Sequence, residues 1–128
     1  MEYVESFKGL EVYLLARELA NDIFDISKKF PKEEMYSLTV QVRRSSRSTG
    51  GQIAEAWGKR RYEKHFLSKL TDAGADQMET QHWIETATDG LYISKEQALK
   101  LLNKCNAIEK MLNSMINKST SFCKKPST

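Results

Sequence analysis

Four stretches of this chain repeat apolar or small residues three and four positions apart, the spacing that keeps one face of a helix turned toward a partner helix. Val12, Ala16, Leu19, Ile23, Ile26 and Phe30 mark the first, a helix of roughly Gly9 to Lys29 that closes before Pro31, because proline biases Phe30 out of the α region. Met35, Leu38, Val42, Ser45, Thr49, Ile53 and Ala56 mark the second, with Pro31, Glu33 and Glu34 suited to its N-terminus and Gly58 as its stop. The third, Phe66, Leu70, Ala73, Gln77, Thr80, Ile84 and Ala87, ends at the glycine signal Asp89-Gly90. The fourth opens on Ser94-Lys-Glu-Gln97, a capping-box pattern, and continues through Ala98, Leu101, Cys105, Ile108, Leu112 and Met115.

The connections, Phe30 to Lys32, Gly58 to Arg61 and Asp89 to Ser94, are short. Short loops force consecutive helices to run antiparallel, so the expected fold is all-α, an up-down-up-down four-helix bundle. A length of 128 residues with 40% apolar residues suits one domain with one modest core. That domain is expected over residues 1–117, with a flexible, non-periodic tail over 118–128. Only two prolines and six glycines interrupt the chain, which favours helix over a turn-rich β architecture. No apolar run approaches the ~20 residues of a transmembrane span, and MEYVESFKGLEVYL carries acids where a signal peptide carries basic residues. A cytoplasmic protein without membrane contact is expected. Cys105 and Cys123 form no C-x-x-C pair and read as plain thiols of a reducing compartment.

Charge is unevenly spread. Between Val40 and Lys64 stand seven basic residues, Arg43, Arg44, Arg47, Lys59, Arg60, Arg61 and Lys64, against the acids Glu55 and Glu63, so this segment carries +5 in a chain whose total is +3. On a helical wheel Arg43, Arg44 and Arg47 share an arc of about 100° opposite the apolar stripe, facing away from the chain's own core. Arginine suits bidentate phosphate contacts, and few acids are interleaved to neutralise it. These seven residues are therefore the candidate nucleic-acid contacts. No zinc-finger spacing or RNA-reading strand accompanies them, and only Trp57 and Tyr62 offer rings for a base, so binding to RNA or DNA is expected to be electrostatic, salt-dependent and weakly sequence-specific. The rival reading places the arginines in subunit contacts with acids such as Glu33, Glu34, Asp72 or Asp76.

Three other features stand out as candidate sites. Gly50-Gly51 inside a helix costs roughly 1 kcal/mol per glycine relative to alanine and reads as a kink or a close backbone crossing, since no phosphate-loop pattern surrounds it. Ala73-Gly74-Ala75 is small enough for a close helix approach. Glu79-Thr-Gln-His82 has the E-x-x-H spacing of di-iron bundles, but such a site needs a second E-x-x-H and two further inward glutamates. The only other histidine, His65, follows Tyr62 at that spacing, so Glu79 and His82 are expected beside the bundle seam, with no metal and no cofactor. No nucleophile elbow, carboxylate pair or Cys/His dyad points to an enzyme.

Over about Phe7 to Ile116, the segments FKGLEVYLLARELANDIF, FPKEEMYSLTVQVRRSSRS, IAEAWGKRRYEKHFLSKL and ETQHWIETATDGLYI resemble the bacterial 23S rRNA-intervening-sequence proteins. Related to them are the accessory variability proteins of diversity-generating retroelements. The second-helix pattern matches at Gln41, Arg44, Ser48, Ile53, Ala54 and Glu55, and departs at Gln52, where asparagine is usual, and Ala56, where glycine is usual. The resemblance implies a non-enzymatic bundle assembling into a ring-like homopentamer. It also implies nucleic-acid binding through positive surface and, from the retroelement relatives, a reverse transcriptase as protein partner.

Overall fold

A computed structural model describes residues 4–123. Among these residues a 3₁₀ turn, Phe7–Gly9, leads into α1, Glu11–Ser27. A second 3₁₀ turn, Lys32–Glu34, and a π-helical turn, Met35–Thr39, lead into α2, Val40–Gly58. Then follow α3, Glu63–Asp89, α4, Lys95–Asn117, and a single turn α5, Ser119–Phe122. Each long helix packs on two others, α1 on α2 and α4, α3 on α2 and α4, with the largest interface between α2 and α3. Ser45 meets Thr80 while Ser48 meets Asp76, so α2 and α3 run antiparallel. The molecule is the expected four-helix bundle.

The 3-4 stripes are the core. Every stripe position of α3 and α4 is buried, as are Val12, Ala16, Leu19 and Ile23 of α1 and Leu38 through Ala56 of the second stripe. Met35 departs from the pattern and is exposed, because the wider π turn advances less per residue and shifts its position out of the α-helical phase. Polar members are buried with the rest. Ser45 and Thr80 share a hydroxyl bond of 2.8 Å, and Thr49 and Thr80 also return bonds to carbonyls one turn back. The capping box at Ser94 forms in full: its hydroxyl accepts from the Gln97 N–H at 3.0 Å, and its own N–H donates to Gln97 Oε1 at 2.9 Å.

The glycines play different parts. α2 runs unbroken through Gly50-Gly51. Gly50 is buried facing Tyr13 and Ala16, where α1 comes close, while space beside Gly51 and Gly74 is open, so no crowded crossing is present at Gly74. At the end of α3 it is Leu91, not Gly90, that adopts the left-handed conformation, with φ 62. Tyr92 N–H bonds to Ala87 O and Leu91 N–H to Thr88 O, the two bonds of a Schellman motif with leucine at its left-handed position. Gly90 instead serves proximity, since an added Cβ would lie 2.8 Å from the Tyr92 ring. That ring is fixed by a 2.8 Å bond from its hydroxyl to Glu34, which also accepts from Ser37 and is held below the usual carboxylate range by these two donors.

Leu91 is 88% exposed, so its left-handed backbone is not offset by packing within the chain. Leu91→Gly is expected to raise stability by about 1 kcal/mol, read from the urea midpoint at unchanged m-value. A loss instead would place this leucine under a partner subunit.

The tail carries structure further than periodicity indicates. Ser119 donates to Glu63, and the Phe122 ring stacks on Phe66 with centroids 5.9 Å apart, docking α5 on the start of α3. Packing against a distant ring orders a turn that no local pattern marks. Residues 124–128 of the expected tail lie outside the described residues.

Candidate nucleic-acid interface

α2 presents different chemistry to its two neighbours. Toward α3 lies a ladder of polar contacts. Arg44 binds both Gln41 and Glu79, Ser48 donates to Asp76 at 2.7 Å, and Lys69 of α3 reaches Gln52 at 3.3 Å and Glu55 at 3.0 Å. Glu79 also accepts from the Trp83 indole at 2.9 Å. The polar positions through which the chain resembles its relatives, Gln41, Arg44, Ser48 and Glu55, all stand in this ladder. Gln52, for all its departure from asparagine, takes its own place there. The ladder's role is to hold two helices in register, each exposed pair adding of order 0–1 kcal/mol.

Toward α1 the contacts are with an aromatic ring. Arg43 and Arg47 both lie over Phe24, at 4.5 and 5.1 Å from its centroid, and Arg43 Nε donates to the buried Ser27 hydroxyl at 2.8 Å. The three arginines of the shared arc thus divide: Arg44 leans to α3 and a carboxylate, Arg43 and Arg47 to α1. Arg43 is half-buried rather than turned fully outward, because its long stem lies along the neighbouring helix. A cation over a ring keeps its full charge, whereas one paired with a carboxylate is neutralised.

The second basic group surrounds the α2–α3 turn. Lys59, Arg61 and Lys64 are exposed. Arg60 stacks on Trp57, 3.6 Å above the ring, and donates to the Trp57 carbonyl at 2.9 Å, so this aromatic is already covered. Tyr62 is 59% exposed and touches His65 edge-on, leaving most of its ring to solvent. The two groups sit toward opposite ends of α2 and do not merge into one cluster.

Arg17 was not among the residues singled out by charge runs, since it stands alone in α1. The structure brings it to the same α1–α2 seam as Arg47, positioned by a 3.2 Å bond from its Nη1 to the Tyr13 hydroxyl. Of the acids of α1, Glu18 and Asp22 are engaged by Lys104 of α4 and Asp25 by Lys28. The local signal was the four-residue step from Arg17 to Asn21, which marks a polar strip beside the apolar stripe.

Glu79 and His82 lie at the seam edge, with Glu79 engaged by Arg44 and Trp83 and His82 exposed against the Trp83 ring at 4.7 Å. Among the described residues no group of three or more His, Cys, Asp or Glu is placed to hold a metal ion. Both cysteines are free; Cys105 is fully buried and its thiol is pushed up to about 12 by loss of solvation. No helix among the described residues is long and apolar enough to cross a membrane.

No curated protein matches the chain. Among solved structures it is similar to a crystal structure from Bacteroides thetaiotaomicron VPI-5482, described as a protein of unknown function from the S23 ribosomal protein family. The two share 29% identity and a TM-score of 0.74, over 82% of this chain and 97% of that one. The model of the family described as 23S rRNA-intervening sequence protein matches residues 8–114, which covers all four long helices but the last residues of α4, and the chain belongs to that family.

Proposed function

We propose that this protein is a non-enzymatic, homo-oligomeric bundle that binds nucleic acid with weak sequence preference through the basic surface of α2 and the α2–α3 turn. The observation that carries this reading is the state of the seven candidate residues. Of the seven, only Arg44 has a salt-bridge partner among the described residues, whereas Arg43, Arg47, Lys59, Arg60, Arg61 and Lys64 keep their charge without a carboxylate there. Phosphate is the partner that such unneutralised arginines and lysines match. The ring-like homopentamer and a reverse-transcriptase partner are proposed from the family resemblance. Exposed Leu14, Met78 and Leu99, on α1, α3 and α4, supply apolar surface for subunit contacts.

The rival assigns the arginines to intersubunit ion pairs. Asp76 already accepts from Ser48, and Glu34 from Ser37 and Tyr92, which disfavours those two acids as partners.

Binding of labelled RNA and DNA by fluorescence anisotropy tests the proposal. The Arg43/Arg44/Arg47→Ala variant is expected to bind about tenfold more weakly at low salt, with a shallower dependence of log K on log salt. Equal binding by both proteins, or no binding by wild type at low salt, overturns it. Under the rival reading the same variant loses its oligomeric state in sedimentation.

A further inference from the structure

Between α1 and α2 runs an open groove of about 380 Å³, floored by Ala16, Ala20, Gly50, Gly51 and Ala54. We propose that this groove is the seat of a single strand of nucleic acid, with Arg17 and Arg47 on its walls and Arg43 at its end contacting successive phosphates. The proposal rests on the nucleic-acid reading above and narrows it to one strand at one place.

The charges are arranged for a polyanion. Arg17 and Arg47 line the groove, Arg43 shares the Phe24 ring with Arg47, and no carboxylate is among the lining residues. Lys104 holds Glu18 and Asp22 on the flank of α1 toward α4, and Asp25 pairs with Lys28, so these three acids are already matched by cations. Arg43 and Arg47, one turn apart on α2, are separated along the axis by about 6 Å, of the order of one step of an extended strand. Both are held over an aromatic face, and Arg17 over Tyr13 at 5.9 Å, so little side-chain freedom remains to be lost on binding.

Shape selects the strand. A trough between two packed helices, whose axes lie about 8–10 Å apart, is too narrow for a duplex, while its small-residue floor lets a backbone lie close. Asn21 on its wall and the half-buried Phe7 ring at one end offer a polar and an apolar contact without reading a base sequence.

The test uses the full chain with a mixed-sequence single strand and the matching duplex, by anisotropy at low and high salt. Arg17→Ala is expected to weaken single-strand binding roughly fivefold and to reduce the salt slope by about 0.7. A Cβ at Gly51 meets nothing within 4 Å, so Gly51→Phe fills the groove without removing charge and is expected to weaken single-strand binding by at least a similar factor. Gly51→Ala, which adds little bulk, is expected to bind as wild type, and thermal melts of all three confirm folded protein. If wild type binds single strands while Arg17→Ala and Gly51→Phe bind equally well, the groove assignment falls and the wider nucleic-acid reading stands. Preference for duplex unaffected by Gly51→Phe also overturns the groove. Failure of wild type to bind either nucleic acid, including the case in which it binds only phosphatidylserine vesicles, overturns both.

Discussion

Phe66→Ala is expected to destabilise the fold by about 3–5 kcal/mol, the cost of removing a fully buried aromatic and leaving a cavity. Phe66 has 0% exposure, the largest side chain so enclosed among the described residues, and it joins α3 to the core and to α5 at once. Its loss leaves Phe122 without its stacking partner and releases α5, so the damage spreads beyond one site. Against a total stability of roughly 5–15 kcal/mol for a domain of this kind, the melting temperature should fall by roughly 10 °C or more. Urea unfolding provides the check. Phe122→Ala, which removes a half-buried ring from the outer side of the same stack, is expected to cost less than half as much. Equal losses from the two variants would mean that the stack, rather than the core position, holds the stability.

Gln77→Leu is expected to stabilise the protein by about 1–2 kcal/mol, because a buried donor without an acceptor costs about 1–3 kcal/mol and leucine has a similar volume. Gln77 is fully buried on α3, its Oε1 accepts from Gln81 at 2.7 Å, and its Nε2 finds no acceptor. Gln81 is only half-buried, so after the substitution its amide turns to solvent at little cost. Differential scanning calorimetry and urea unfolding read the effect. A loss of stability would show that the Gln77 amide donates to a group that the chain itself does not supply.

Both residues were placed by periodicity. Phe66 and Gln77 occupy α3 stripe positions, and the stripe marked Gln77 as interior despite its polar side chain, because backbone phase and not side-chain polarity sets which way a helical residue points. The Ser94 capping box was equally legible, since a cap is made by residues three apart in sequence. The α3 terminus was legible only in part: Asp89-Gly90 marked where the helix ends, but packing of Tyr92 against Gly90 moved the left-handed residue on to Leu91. The site was legible as a charge cluster and not as a geometry. The seven basic residues could be counted, yet what the arginines rest on or pair with depended on Glu79, Phe24 and Trp57, and of these only Trp57 is near its arginine in sequence.

The stretch from Gln41 to Arg61 shows the division most sharply. Sequence alone determined that up to Gly58 it is one helix carrying the bundle stripe on one side and cations on the other, because spacing along a helix is a local, periodic property. Tertiary structure alone decided that its family-like residues form a ladder to α3, that Arg43 and Arg47 rest on a ring from α1, and that the solitary Arg17 joins them across an open groove. Those relations depend on which helices become neighbours and in what register, and register is set by the packing of whole stripes rather than by any residue's own surroundings in the chain.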